Sequence, residues 1–146
     1  MAAFISSLGP VCHHELLKFM DSRESFYKAM KPGVGNADSG LAITDFQDVF
    51  PDAPTVIIER DIATTHESLV ELGLDGPVDA LGWLQSRLDR LTGLRVGFDE
   101  LDARMPEVCA YLGVSYDPAK HEVFRNLNIV TVNFNSLPGS YSAWRI

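Results

Sequence analysis

Cysteine is nearly missing from this chain: Cys12 and Cys109 are the two among 146 residues. They stand in no C-x-x-C or metal-ligand spacing, which excludes a disulfide framework and a structural zinc site and favours a reducing compartment. Basic residues are also short. Twelve Lys and Arg against twenty Asp and Glu leave a formal charge of -8, and no two basic residues are adjacent. The chain therefore lacks a patch able to hold a nucleic-acid backbone or an anionic membrane. Long apolar runs are lacking as well. The apolar start, Met1 to Cys12, has no basic flank and is broken by Ser6, Ser7 and Pro10, so it reads neither as a signal peptide nor as a membrane span. A cytoplasmic protein with no nucleic-acid and no membrane partner is the expectation. Net charge does not forbid a small anion in a local pocket, because charges more than roughly 8 Å away are largely screened at physiological salt.

What is present is the composition of an ordinary globular domain, 46% hydrophobic and 22% charged. Residues 1–146 read as one domain, with no repeat, low-complexity tract or linker. Residues 11–14 suit a short strand leading into a helical stretch through Leu16, Leu17, Phe19, Met20, Phe26 and Met30, ended by Pro32, Gly33 and Gly35. Leu41, Ile43, Phe46, Val49 and Phe50 favour a short helix stopped by Pro51. Thr55-Val56-Ile57-Ile58 is apolar and β-branched without alternation, as in a strand buried on both faces of a parallel sheet. Thr64 and Glu67 have capping-box spacing, which predicts a helix from near Thr65 to Gly73. A Leu stripe predicts a core-facing helix over 78–91, stopped at Gly93, and Leu94, Val96 and Phe98 alternate as a strand does. Helices are predicted after Pro106 and Pro118, and an extended segment over 129–134. Strands alternating with helices make the class α/β, a three-layer sandwich with a mostly parallel sheet.

In such a sheet ligands bind beyond the carboxyl ends of the strands, where helix N-termini face anions. Arg60 follows the clearest strand, and Ser68 lies in the early turns of the next helix, so a guanidinium and a hydroxyl can converge on one phosphate. The bland alternative is an Arg60 paired with a surface carboxylate and a Ser68 that is merely solvated. His14 and Glu15 end another strand. Read from the residues, His13 and His14 are strand-end residues bonded to neighbouring backbone. A metal is not expected, because Lys18 stands where a His-Glu-x-x-His helix needs its second His. His66 and His121 read as helix-surface residues. Asp99 and Glu100, as neighbours on an extended chain, are expected to point apart.

Asp52-Ala53-Pro54-Thr55-Val56-Ile57-Ile58-Glu59-Arg60-Asp61 followed by Ser68 resembles a segment of the PAPS-dependent sulfotransferases, with Ile62 where that family usually has Pro. The resemblance implies a P-loop-type α/β fold and assigns Arg60 and Ser68 to the 3'-phosphate of 3'-phosphoadenosine 5'-phosphosulfate (PAPS) or adenosine 3',5'-bisphosphate. Phe98-Asp99-Glu100-Leu101, Pro106 and Leu112-Gly113-Val114 look like the family's Tyr-Glu-Asp-Leu, Pro and Leu-Gly block. Pro10 to Glu15 and Val34-Gly35-Asn36 resemble two earlier segments, and Glu15 takes the place of a general base in several branches, with His14 beside it. Gly139 to Arg145 looks like the late Gly-x-x-Gly-x-Trp-Arg/Lys stretch, with Ser142 for the second Gly, which makes Arg145 a further nucleotide contact.

The family's first strand and its phosphosulfate loop, Arg/Lys-Ser/Thr-Gly-Thr, have no counterpart. Residues 2–8 look like the stub of the helix that follows that loop. Gly35 and Gly40 have the outer spacing of a P-loop, but Leu41-Ala42 replaces the Lys-Ser/Thr it requires. Sulfuryl transfer needs positive donors on the transferring group, so three readings stand: a truncated sulfotransferase-like domain that keeps a nucleotide site without turnover, a noncatalytic assembly protein that forms homo-oligomers through an exposed sheet edge, and an incomplete product of a complete enzyme.

Overall fold

The computed structural model describes residues 1–38, 40–71, 73 and 78–126. The chain opens with helix α1 (Ala2–Ser7), strand β1 (Val11–His14) and a 3₁₀ turn (Leu16–Phe19), and continues into α2 (Arg23–Ala29). The single helix anticipated across this stretch is broken because Ser22 caps α2 afresh, its hydroxyl accepting the Ser25 N–H at 3.1 Å. Strand β2 (Val34–Ala37), a 3₁₀ turn (Leu41–Ile43), α3 (Phe46–Val49) and β3 (Val56–Glu59) follow. Next come α4 (Ile62–Glu71), α5 (Val78–Leu88), β4 (Leu94–Gly97), a 3₁₀ turn (Phe98–Glu100), α6 (Met105–Tyr111) and α7 (Pro118–Asn126). The predicted extended segment 129–134 lies outside the described residues.

The protein is mixed α/β, and among the described residues its strands form two parallel pairs, β1 with β2 and β3 with β4. Val-Gly-Asn-Ala carries little strand propensity. It pairs in register with β1, where a Cβ at Gly35 would stand 3.4 Å from Cys12 Sγ, an ordinary contact. Glu15 N–H donates to the Ala37 carbonyl at 2.8 Å and Leu94 N–H to that of Thr55 at 3.0 Å, each extending a ladder beyond its strands. Because alternate residues of a parallel ladder face the same neighbour, Val56 and Ile58 turn their backbone groups away from β4. On β1 the matching residue is Cys12, whose N–H and carbonyl are both met by the Ser6 hydroxyl of α1, at 2.9 and 3.0 Å.

Helix α1 ties the two pairs together. Phe4 and Ile5 are buried with Val96, Met105, Val108 and Cys109, and Cys12 from one pair and Val56 and Leu94 from the other pack on the same cluster. A second cluster joins Phe26, Tyr27, Phe46 and Phe50 through ring contacts of 5.1 to 6.2 Å. The Leu stripe of α5 is half-buried where it was expected to be core: Leu81, Leu84 and Leu88 are all partly exposed, and the helix packs chiefly on α4 and the 41–43 turn. No helix among the described residues is long and apolar enough to cross a membrane.

Candidate functional site

Strand β3 ends at Glu59, and Arg60 and Asp61 make the connection to α4. Asp61 is the helix cap, its Oδ1 accepting the Thr64 N–H at 2.9 Å and the Thr64 hydroxyl at 3.1 Å. These bonds favour the ionised carboxylate and hold it below the usual aspartate range. The helix thus begins at Ile62, three residues ahead of the start near Thr65 that the sequence favoured. Ile62 occupies the first helical position, where proline is well tolerated. The earlier start moves Ser68 into the second turn, and Arg60 Nη2 donates to Ser68 Oγ at 3.0 Å. The guanidinium carbon lies 5.0 Å from the centre of the Phe98 ring, a cation–π contact. Arg60 makes no ion pair among the described residues, so the surface-carboxylate alternative is not what is observed.

A cavity of about 300 Å³ opens beside Arg60, lined by Glu59, Arg60, Asp61, Thr64, Gly97, Phe98, Asp99 and Glu100; Ser68 bonds Arg60 but is not part of that lining. Asp99 and Glu100 both reach it, because the chain after β4 turns into the 98–100 3₁₀ helix and not on as a strand. Arg95 holds Glu59 and also donates through Nη2 to the carbonyls of Leu88 and Leu91 at 2.9 and 3.0 Å, pinning the end of α5 to β4. Arg104 reaches Glu100 at 3.5 Å, but its shorter bonds go to Glu107 at 2.8 and 2.9 Å and to the Arg95 carbonyl at 3.0 Å. Those bonds hold the Glu107 carboxyl below its ordinary range.

His14 and Glu15 lie at the end of the other strand pair and do not line this cavity. Glu15 adopts a left-handed conformation, φ +56°, uncommon for a residue with a side chain. Asn36 and Asp38 hold that turn: Asn36 Oδ1 accepts the Leu16 N–H at 3.1 Å and Asp38 Oδ2 the Leu17 N–H at 3.0 Å. The Glu15 side chain is 15% exposed and its carboxylate sits 3.0 Å from Lys18 Nζ, while His14 is exposed. Arg145 lies outside the described residues. The structure thus brings Arg60 to Ser68 and leaves His14 and Glu15 in a separate place.

Two features escaped the sequence reading. Phe98 under Arg60 comes from a distant segment and has no local signal. His121, expected on a helix surface, has a side chain 12% exposed, with Nδ1 2.8 Å from the Tyr116 hydroxyl and Nε2 3.2 Å from Asp102, and it packs on Phe4. It fastens α7 to the turn before α6. Burial pushes the thiols of Cys12 and Cys109 up. No group of three His, Cys, Asp or Glu side chains suited to a metal is present among the described residues.

Compared with protein-family models, curated proteins and solved structures, the chain gives no match.

Proposed function

We propose that this domain binds a nucleotide phosphate through Arg60 and Ser68, in the manner the sulfotransferase resemblance implies for the 3'-phosphate of PAPS or adenosine 3',5'-bisphosphate. One observation carries the reading: the guanidinium and the hydroxyl meet at 3.0 Å, past the carboxyl end of a parallel strand, and Arg60 lines an open cavity. An incoming phosphate oxygen replaces the guanidinium's bond to a neutral hydroxyl with a bond to an opposite charge, and the freed hydroxyl donates to the phosphate as well. A single three-layer, P-loop-like sheet is part of the same proposal. It is supported by the parallel sense of both strand pairs and by the α1 cluster on which both pack.

Turnover is not part of the proposal. The sequence holds no Arg/Lys-Ser/Thr-Gly-Thr stretch, and each missing preorganised donor costs about a hundredfold or more in rate. The candidate bases Glu15 and His14 stand on the other strand pair, away from the Arg60 cavity. Calorimetric titration with adenosine 3',5'-bisphosphate tests the binding claim. Saturable heat from the wild type that Arg60→Ala abolishes, and that Ser68→Ala weakens by about tenfold, is the expected result. Identical absence of heat from wild type and Arg60→Ala removes the nucleotide site.

A noncatalytic assembly role is the second reading, favoured by the backbone of Val56 and Ile58 on β3, which turns away from β4. Unpaired strand edges recruit further strands. Light scattering across a concentration series is expected to show a dimer or larger species under this reading, and a monomer at all concentrations rejects it.

A further inference from the structure

The cavity beside Arg60 holds about 300 Å³, more than one phosphate needs, so its walls choose the rest of the ligand. Those walls are one-sided in charge: among the described residues Arg60 is the cation lining it, against the carboxylates of Glu59, Asp61, Asp99 and Glu100. Glu59 is answered by Arg95, Glu100 in part by Arg104, and Asp61 is spent on capping α4. Asp99 makes no ion pair among the described residues. One phosphoryl group set on Arg60 has about half of its charge met. A second on the same ligand finds no other cation among the described lining residues and lies within a Debye length, about 8 Å, of several carboxylates. Ionised carboxylates only accept hydrogen bonds, so they favour a ligand body rich in hydroxyl or amino donors. Phe98, 52% exposed, offers that body an aromatic surface.

We infer that the site takes a ligand with one phosphoryl group and a donor-rich, uncharged body, of the nucleoside 3'-monophosphate class, in preference to a bisphosphate. This rests on the reading of Arg60 and Ser68 as a phosphate site and reverses the ligand preference that the family resemblance implies. The test is calorimetric titration of the full chain with adenosine 3'-monophosphate and with adenosine 3',5'-bisphosphate, in wild type, Arg60→Ala and Asp99→Asn, at low and at high salt. The monophosphate is expected to bind about tenfold more tightly at low salt, with a gap that narrows in Asp99→Asn and as salt rises. Equal or tighter binding of the bisphosphate, with heat that depends on Arg60 for both ligands, overturns the inference and leaves the phosphate site standing. A gap that Asp99→Asn does not move overturns it too, by removing its electrostatic cause. No Arg60-dependent heat from either ligand removes the phosphate site and this inference together.

Discussion

Arg60 carries its charge on a long side chain whose freedom would otherwise oppose any phosphate site, and at the residue scale Phe98 is what restrains it. A cation–π contact at an exposed site contributes about 0.5–1 kcal/mol. Phe98→Leu is therefore expected to weaken Arg60-dependent nucleotide binding about two- to fivefold, while Phe98→Tyr retains it. Leucine binding as well as phenylalanine would show that the ring is only packing. The Arg60–Ser68 pair was legible because both lie on one strand–helix unit, where an eight-residue separation has a definite geometry. Phe98 was not, since nothing local says which ring arrives under a guanidinium. Asp61 supports a pH prediction. Its folded-state pKa is depressed, so its stabilising effect is present above the unfolded value and lost as pH falls through the folded one. Asp61→Asn keeps a capping oxygen without the titration. In urea denaturation, the advantage of wild type over Asp61→Asn is expected to shrink as pH drops below about 4. A constant difference from pH 7 to pH 3 would contradict that.

At the scale of elements, the β3–β4 pair depends on Gly93. The helix stop expected there falls at Leu88, and Gly93 instead brings the chain against β3 with φ +149°. A Cβ at that position would stand 2.1 Å from the Thr55 carbonyl oxygen, a collision with backbone that no side-chain movement relieves. Gly93→Ala is expected to destabilise by more than about 2 kcal/mol, read as a drop of several degrees in melting temperature. An unchanged melting temperature would mean the strand pair tolerates displacement. Arg95 is the other tie, joining Glu59 on β3 to the carbonyls at the end of α5. Its loss in Arg95→Met removes hydrogen bonds to a charged group and is expected to cost about 1–3 kcal/mol in chemical denaturation. Strand β3 was readable because β-branched runs have few other uses. Strand β2 was not, because its strand state comes from pairing with β1. Helix α4 began early because Asp61 and Thr64 are both competent caps and only the course of the chain after β3 selects the first.

At the scale of the whole molecule, the thiols report how completely the α1 cluster closes. Cys109 is fully buried at its centre, Cys12 is half-buried at its edge, and burial raises both thiol pKa values. Both cysteines are expected to react slowly with a disulfide reagent in the native protein, Cys109 the more slowly, and fast once denaturant is added. Rapid titration of two thiols without denaturant would show that the cluster opens readily. What the sequence alone determined is chemical and local: the acidic balance, the absence of a disulfide framework or basic patch, the α/β alternation, and the strand–helix unit that sets Arg60 near Ser68. Tertiary structure alone decided which distant groups share a space, that Phe98 and Asp99 join Arg60 while His14 and Glu15 stand elsewhere. The physical reason is range. Propensity, capping and periodicity act over a few residues, whereas strand pairing and burial on α1 connect segments whose separation along the chain leaves no pattern to read.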